Sequence, residues 1–97
     1  MPSVQEALVL GDPGANGRLE ISGVEGFDRV EISIFDRWGS VVFQDADYDN
    51  GAPWQGEYKG GGRYLPKGAY FYFLNAYDGN DQVGGTLTGA IYLFENE

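Results

Sequence analysis

Arg29-Val30-Glu31-Ile32-Ser33-Ile34-Phe35, followed at once by Asp36-Arg37-Trp38-Gly39 and then by Ser40-Val41-Val42-Phe43-Gln44, decides the fold. In the first segment Val30, Ile32 and Ile34 share one face while Glu31 and Ser33 take the other, the period-two pattern of a half-buried strand. The last segment returns to β-rich composition after four residues, and Gly39 supplies the left-handed backbone that a short hairpin loop demands. Residues 36–39 are therefore read as a tight turn, with a tryptophan set in it.

The same reading extends outward. Leu8-Val9-Leu10 is a short apolar run stopped by the Gly- and Pro-containing loop 11–17, and residues 18–22 alternate as a half-buried strand. Residues 45–68 form a long irregular segment rich in Asp, Gly and Pro, with Trp54, Tyr58 and Tyr64 in it and one short strand near 57–59. A loop of that length needs anchors, and its rings are the available ones. Ala69-Tyr70-Phe71-Tyr72-Phe73-Leu74-Asn75-Ala76-Tyr77 is apolar on both faces, which suits a central strand covered on both sides or carrying a tyrosine ladder. Residues 78–81 make a turn. In the closing strand, 86–94, Leu87, Ile91 and Leu93 face one way and Thr88, Tyr92 and Phe94 the other. About seven short strands in one small domain predict an all-β, immunoglobulin-like antiparallel β-sandwich, with a small open β-barrel as the alternative.

Composition narrows the chemistry. Fifteen Asp and Glu against six Lys and Arg give a formal charge of −9, which repels phosphate backbones and argues against a nucleic-acid partner. The chain has neither cysteine nor histidine, which removes disulfides, the usual zinc sites, thiol nucleophiles and imidazole-based triads. No apolar run approaches the length of a membrane span, the longest being 69–74, and the first residues carry no signal peptide. No pair of carboxylates is marked out for acid–base work, so an enzyme is not expected.

Four motifs in order, VEISIFDRWGSVVF, YDNGAPWQGEYKG, LPKGAYFYFLN and LTGAIYLFEN, make the chain resemble the gliding-motility-associated C-terminal domain, the type B sorting domain of the type IX secretion system of Bacteroidota. The resemblance runs over nearly all of residues 8–94. It implies a non-catalytic sorting signal, carried by a larger cargo such as an adhesin. That cargo would pass through the periplasm and end secreted or on the cell surface. The implied partners are an outer-membrane or periplasmic component of the machinery and a covalently linked upstream cargo domain. On this reading residues 1–7 begin a fragment or are a linker from that preceding domain, and 8–97 are the sorting domain. Departures from the family pattern are Pro13 and Gly17 in the first loop, Gln55 after Trp54, and Thr88 in place of a lysine before Gly89. A partner reading positive charge at the last strand would read this one poorly.

Two sets of residues are candidates for a site. Arg37, Trp38, Thr88, Tyr92 and Phe94 are expected to bind the partner, the last three on a terminal edge strand open to backbone pairing. For Trp38 there are two readings, a plug sealing the end of the sandwich or an exposed recognition ring beside Arg37. Burial of an indole is worth about 3 kcal/mol, which favours the plug. Asp45, Asp47 and Asp49 with Glu57 approximate the spacing of a calcium loop, with Asn50 inserted before the glycine. No cofactor is expected beyond that possible calcium, and the competing reading makes these carboxylates turn caps. Tyr48, Trp54, Tyr58 and Tyr64 define a rival function, a carbohydrate-binding or calcium-dependent adhesive module that stacks rings on sugars.

Overall fold

In the computed structural model, residues 3–24, 26–58 and 63–95 are described. Seven strands follow in order: β1 (Ser3–Val4), β2 (Ala7–Leu10), β3 (Ile21–Ser22), β4 (Arg29–Phe35), β5 (Val41–Asp45), β6 (Gly68–Asp78) and β7 (Asp81–Glu95), with one 3-10 turn at Ala15–Gly17. Five of them form one sheet in the order β2-β7-β6-β4-β5, and β1 pairs with β3 in a second. The result is a β-sandwich of immunoglobulin type. All its pairs are antiparallel except β2 and β7, which run parallel from Ala7 opposite Tyr92 to Leu10 opposite Glu95.

The predicted alternation is met in β4, where Val30, Ile32 and Ile34 are buried. They join Leu8, Ile21, Leu74, Ile91 and Leu93 in a single core. Asp36 organises the hairpin turn. Its Oδ1 accepts the amides of Trp38 and Ser40, each at 2.9 Å, while the Gly39 amide donates to the Asp36 carbonyl at 3.0 Å. Gly39 has φ of 84°, in the region a side chain would strain. The register slips between Ile34 and Phe35, leaving Val42 as an extra residue, and this bulge turns Val42 into the core while Val41 stays exposed.

Tyr72 and Gly89 face each other across β6 and β7 on the inner side. A Cβ on Gly89 would lie 2.6–2.8 Å from the Tyr72 ring and hydroxyl, so the glycine of the Leu-Thr-Gly-Ala motif makes room for a core tyrosine. Tyr70 is also buried, and its hydroxyl donates to the Pro66 carbonyl at 2.7 Å. That bond fixes the entry to β6 in the manner of a tyrosine corner.

Several expectations need correcting. Val4 sits in the core and β1 pairs with β3, so the folded unit includes residues that the sequence reading placed in a lead-in before residue 8. The strand expected at 18–22 shrinks to Ile21–Ser22. In the long loop the expected short strand is an isolated bridge between Glu57 and Tyr64. Strand β6 is central but not covered on both sides, for Phe71 and Phe73 on its outer face are about half exposed. Strand β7 is not a free edge where Tyr92 and Phe94 stand, because β2 brackets it there. The short run 8–10 gave no sign that it would pair with the other end of the chain. The remainder of β7, from Asp81 to Ile91, has β6 on one side and no β2 residue on the other.

Candidate functional site

The two tryptophans have opposite fates. Trp54 is only 2 % exposed, and its indole stacks on Phe43 with ring centres 5.3 Å apart. Its Nε1 donates to the Glu57 carbonyl at 2.9 Å. Tyr48 lies beside it, also buried. The Tyr48 hydroxyl donates to the Leu19 carbonyl at 2.5 Å and accepts the Trp54 amide at 2.9 Å, and Leu19 and Trp54 are joined again by a backbone bond of 2.9 Å. Burial pushes the Tyr48 phenol up to about 12; the Trp54 amide opposes this, and the charges of Asp45, Asp49 and Glu57 add to it. The long loop is thus nailed to the core by Trp54 and Tyr48, and neither ring has a face to offer a sugar.

Asn50 completes the anchoring. Its Oδ1 accepts the Ile21 amide at 3.0 Å and its Nδ2 donates to the Ile21 carbonyl at 2.9 Å, so one side chain does for β3 what a neighbouring strand would do. This is the residue that broke the calcium-loop spacing. Three of the four carboxylates of that set are spent locally: Asp45 accepts the Asp47 amide at 3.0 Å, Asp49 the Gly51 amide at 2.8 Å, and Glu57 the Gln55 amide at 3.1 Å, while the Asp47 side chain is exposed. Among the described residues no group of three such side chains gathers closely enough to hold a metal ion.

Trp38, by contrast, is 79 % exposed. The expected plug is absent: the turn is closed on itself by Asp36, and the indole stays in solvent with the Arg37 guanidinium 5.1 Å from its ring centre. Beside it lies a groove of about 300 Å³ between this turn and residues 65–70, lined among others by Arg37, Trp38, Tyr58, Lys67 and Tyr70.

Thr88, Tyr92 and Phe94 do share one surface, the outer face of the five-stranded sheet. Thr88 stands opposite Phe73, Tyr92 opposite Ala69, and Phe94 opposite Val9. Phe71, Phe73, Tyr92 and Phe94 are each 46–51 % exposed, and Phe73 meets Phe35 edge-on with ring centres 5.1 Å apart. The other half of this face is polar and satisfies itself. Glu31 accepts bonds from Asn75 and Tyr77, both at 3.4 Å, and Asn75 accepts from Gln82 and Thr86 at 3.0 and 2.7 Å. Sequence reasoning missed Phe71 and Phe73 as surface residues. The signal was there, in an apolar strand with no second apolar layer in the chain to cover its far side.

A five-stranded sheet closed on one side by a small sheet and an anchored loop, with aromatic side chains open on the other, defines an immunoglobulin-like β-sandwich with a surface available for contact. The chain belongs to the CHU_C type IX secretion signal domain family, whose description matches residues 3–93. Membership makes it a sorting signal and implies export to the cell surface or beyond. No helix among the described residues is long and apolar enough to cross a membrane. No curated protein and no solved structure matches the chain at a significant level.

Proposed function

We propose that the domain acts without catalysis as the address of a larger cargo such as an adhesin, and that an outer-membrane or periplasmic component of the type IX machinery reads it on the outer sheet face. One observation carries the reading: Phe71, Phe73, Tyr92 and Phe94 lie half exposed on adjacent strands of a sheet whose opposite face is the core. Half-exposed rings on a rigid sheet are good anchors for association, since little further ordering is needed when they are covered. Backbone pairing at Tyr92 and Phe94 is replaced in this account by side-chain recognition, because β2 already takes that edge.

The test fuses the domain behind a periplasm-targeted reporter in a host with this secretion system and follows the reporter outside the cell. Tyr92→Ser with Phe94→Ser is expected to retain the reporter in the periplasm while the purified domain keeps its circular dichroism. These point changes are better than deleting 86–97, which would remove a core strand. Export that continues with the whole domain removed would end the sorting proposal.

A further inference from the structure

We infer that the groove beside Trp38 is a second docking site, separate from the aromatic face, and that it takes an acidic segment of a partner protein. The chain as a whole repels such a segment, at a formal charge of −9 with only six Lys and Arg. Yet Arg37 and Lys67 both line one groove, and Arg63, outside the lining, stands 5.0 Å over the ring of Tyr58, which belongs to it. The other two described cations lie elsewhere. Arg29 is held over Tyr77 and donates to the Ala46 carbonyl, and Arg18 lines a shallow hollow beside Asn50. A local positive site on an acidic body admits an anionic segment at one place and in few orientations, which is how complementarity confers specificity.

The site is also prepared. The Arg37 guanidinium lies against the Trp38 ring, which lowers the cost of fixing it when a carboxylate arrives. Within the lining, Tyr70 is tied to Pro66 by its hydroxyl, and Asp36 holds its turn through two amides. Burial, then Tyr58 and Asp36, raise the Tyr70 phenol while Arg37 lowers it, so these groups converge on one spot. Asp36 is the acidic group in the lining, and its Oδ1 is committed to the turn. Lys67 is 3.9 Å from Glu95, but both are well exposed, and such a pair gives way easily to a better carboxylate. Trp38, the most exposed large apolar side chain described, then gains an apolar neighbour from the incoming segment.

The probe is an acetylated hexapeptide, Asp-Glu-Leu-Asp-Glu-Leu, compared with its Asn/Gln counterpart and followed by Trp38 fluorescence. Saturable binding with a blue shift is expected for the acidic peptide, weakening as salt rises from about 0.05 to about 0.5 M. Arg37→Glu combined with Lys67→Glu should weaken it at least about tenfold, with the Trp54 near-ultraviolet dichroism unchanged as the check on folding. The inference is overturned by equal binding of the amide peptide, by no binding at millimolar peptide, or by an affinity indifferent to charge reversal. A Trp38 response to neutral oligosaccharides alone would also overturn it, making the groove a sugar site. None of these outcomes touches the aromatic face, so the sorting proposal is tested separately.

Discussion

Trp54 and Trp38 each sit outside a strand, beside a glycine-containing turn and among polar residues, yet one is the largest fully buried side chain described and the other is almost free in solvent. The difference lies in what the backbone around each can reach. Residues near Trp54 have partners on three elements: Phe43 on β5, Leu19 ahead of β3, and Glu57 within the loop. The Trp38 turn satisfies its amides internally through Asp36 and so has no need of the core. A self-sufficient turn frees its side chains for contact, whereas a long loop held within itself only by local caps and one bridge has to spend its rings on fixing itself to the core.

The strongest way to break this contrast is to remove the buried ring. Trp54→Ala should cost about 3–5 kcal/mol, a large share of what a domain of this size has, and is expected to lower the denaturant midpoint sharply or leave the chain unfolded. A loss below about 1 kcal/mol would mean that the loop is held by Tyr48 and Asn50 without the indole.

Tyr48→Phe sharpens the same side. It leaves the Leu19 carbonyl and the Trp54 amide without their shared partner, at an expected cost of about 1–3 kcal/mol near neutral pH. It also removes a pH dependence. The phenol is raised from 10 to about 12 in the folded state, so the unfolded chain loses its proton first. The stability linked to this group is whole below pH 10 and is lost as pH rises toward 12, amounting to about 2–3 kcal/mol. Denaturation midpoints taken at about pH 9 and about pH 11 should therefore fall further for the natural protein than for Tyr48→Phe. Tyr70 and Tyr72 are raised as well, but they are present in both proteins and leave the difference intact.

How far all this was legible follows from the same contrast. Strand β4 and the 86–94 part of β7 are legible because their alternation records which face is buried, β5 and β6 through apolar, β-rich composition between turn signals, and the 36–39 turn because few residues other than glycine fit its last position. Of the second sheet only the strand read at 18–22 was legible, and it shrinks to Ile21–Ser22; Ser3–Val4 is too short to hold a period, and the pairing joins residues distant in sequence. For the candidate surface, Thr88, Tyr92 and Phe94 fell on one face as the pattern required. The exposure of Trp38 was misjudged because hydrophobicity alone states a preference for burial and not whether a neighbour is within reach. Asn50 shows the converse, a polar residue in a loop whose two hydrogen bonds to Ile21 leave no trace in spacing.

The smallest expected effect is at Trp38, and its smallness is the point. Trp38→Ala should change stability by no more than about 0.5 kcal/mol, since a side chain so exposed loses little but its contact with Arg37. Its signature is spectroscopic instead. With two tryptophans in the chain, removing the exposed one should delete the long-wavelength emission and leave the blue-shifted band of Trp54. A loss of more than about 2 kcal/mol would show the indole to be packed in solution, because exposed side chains do not carry energies of that size. The turn would then be a lid on the sandwich, and the two tryptophans would serve one role.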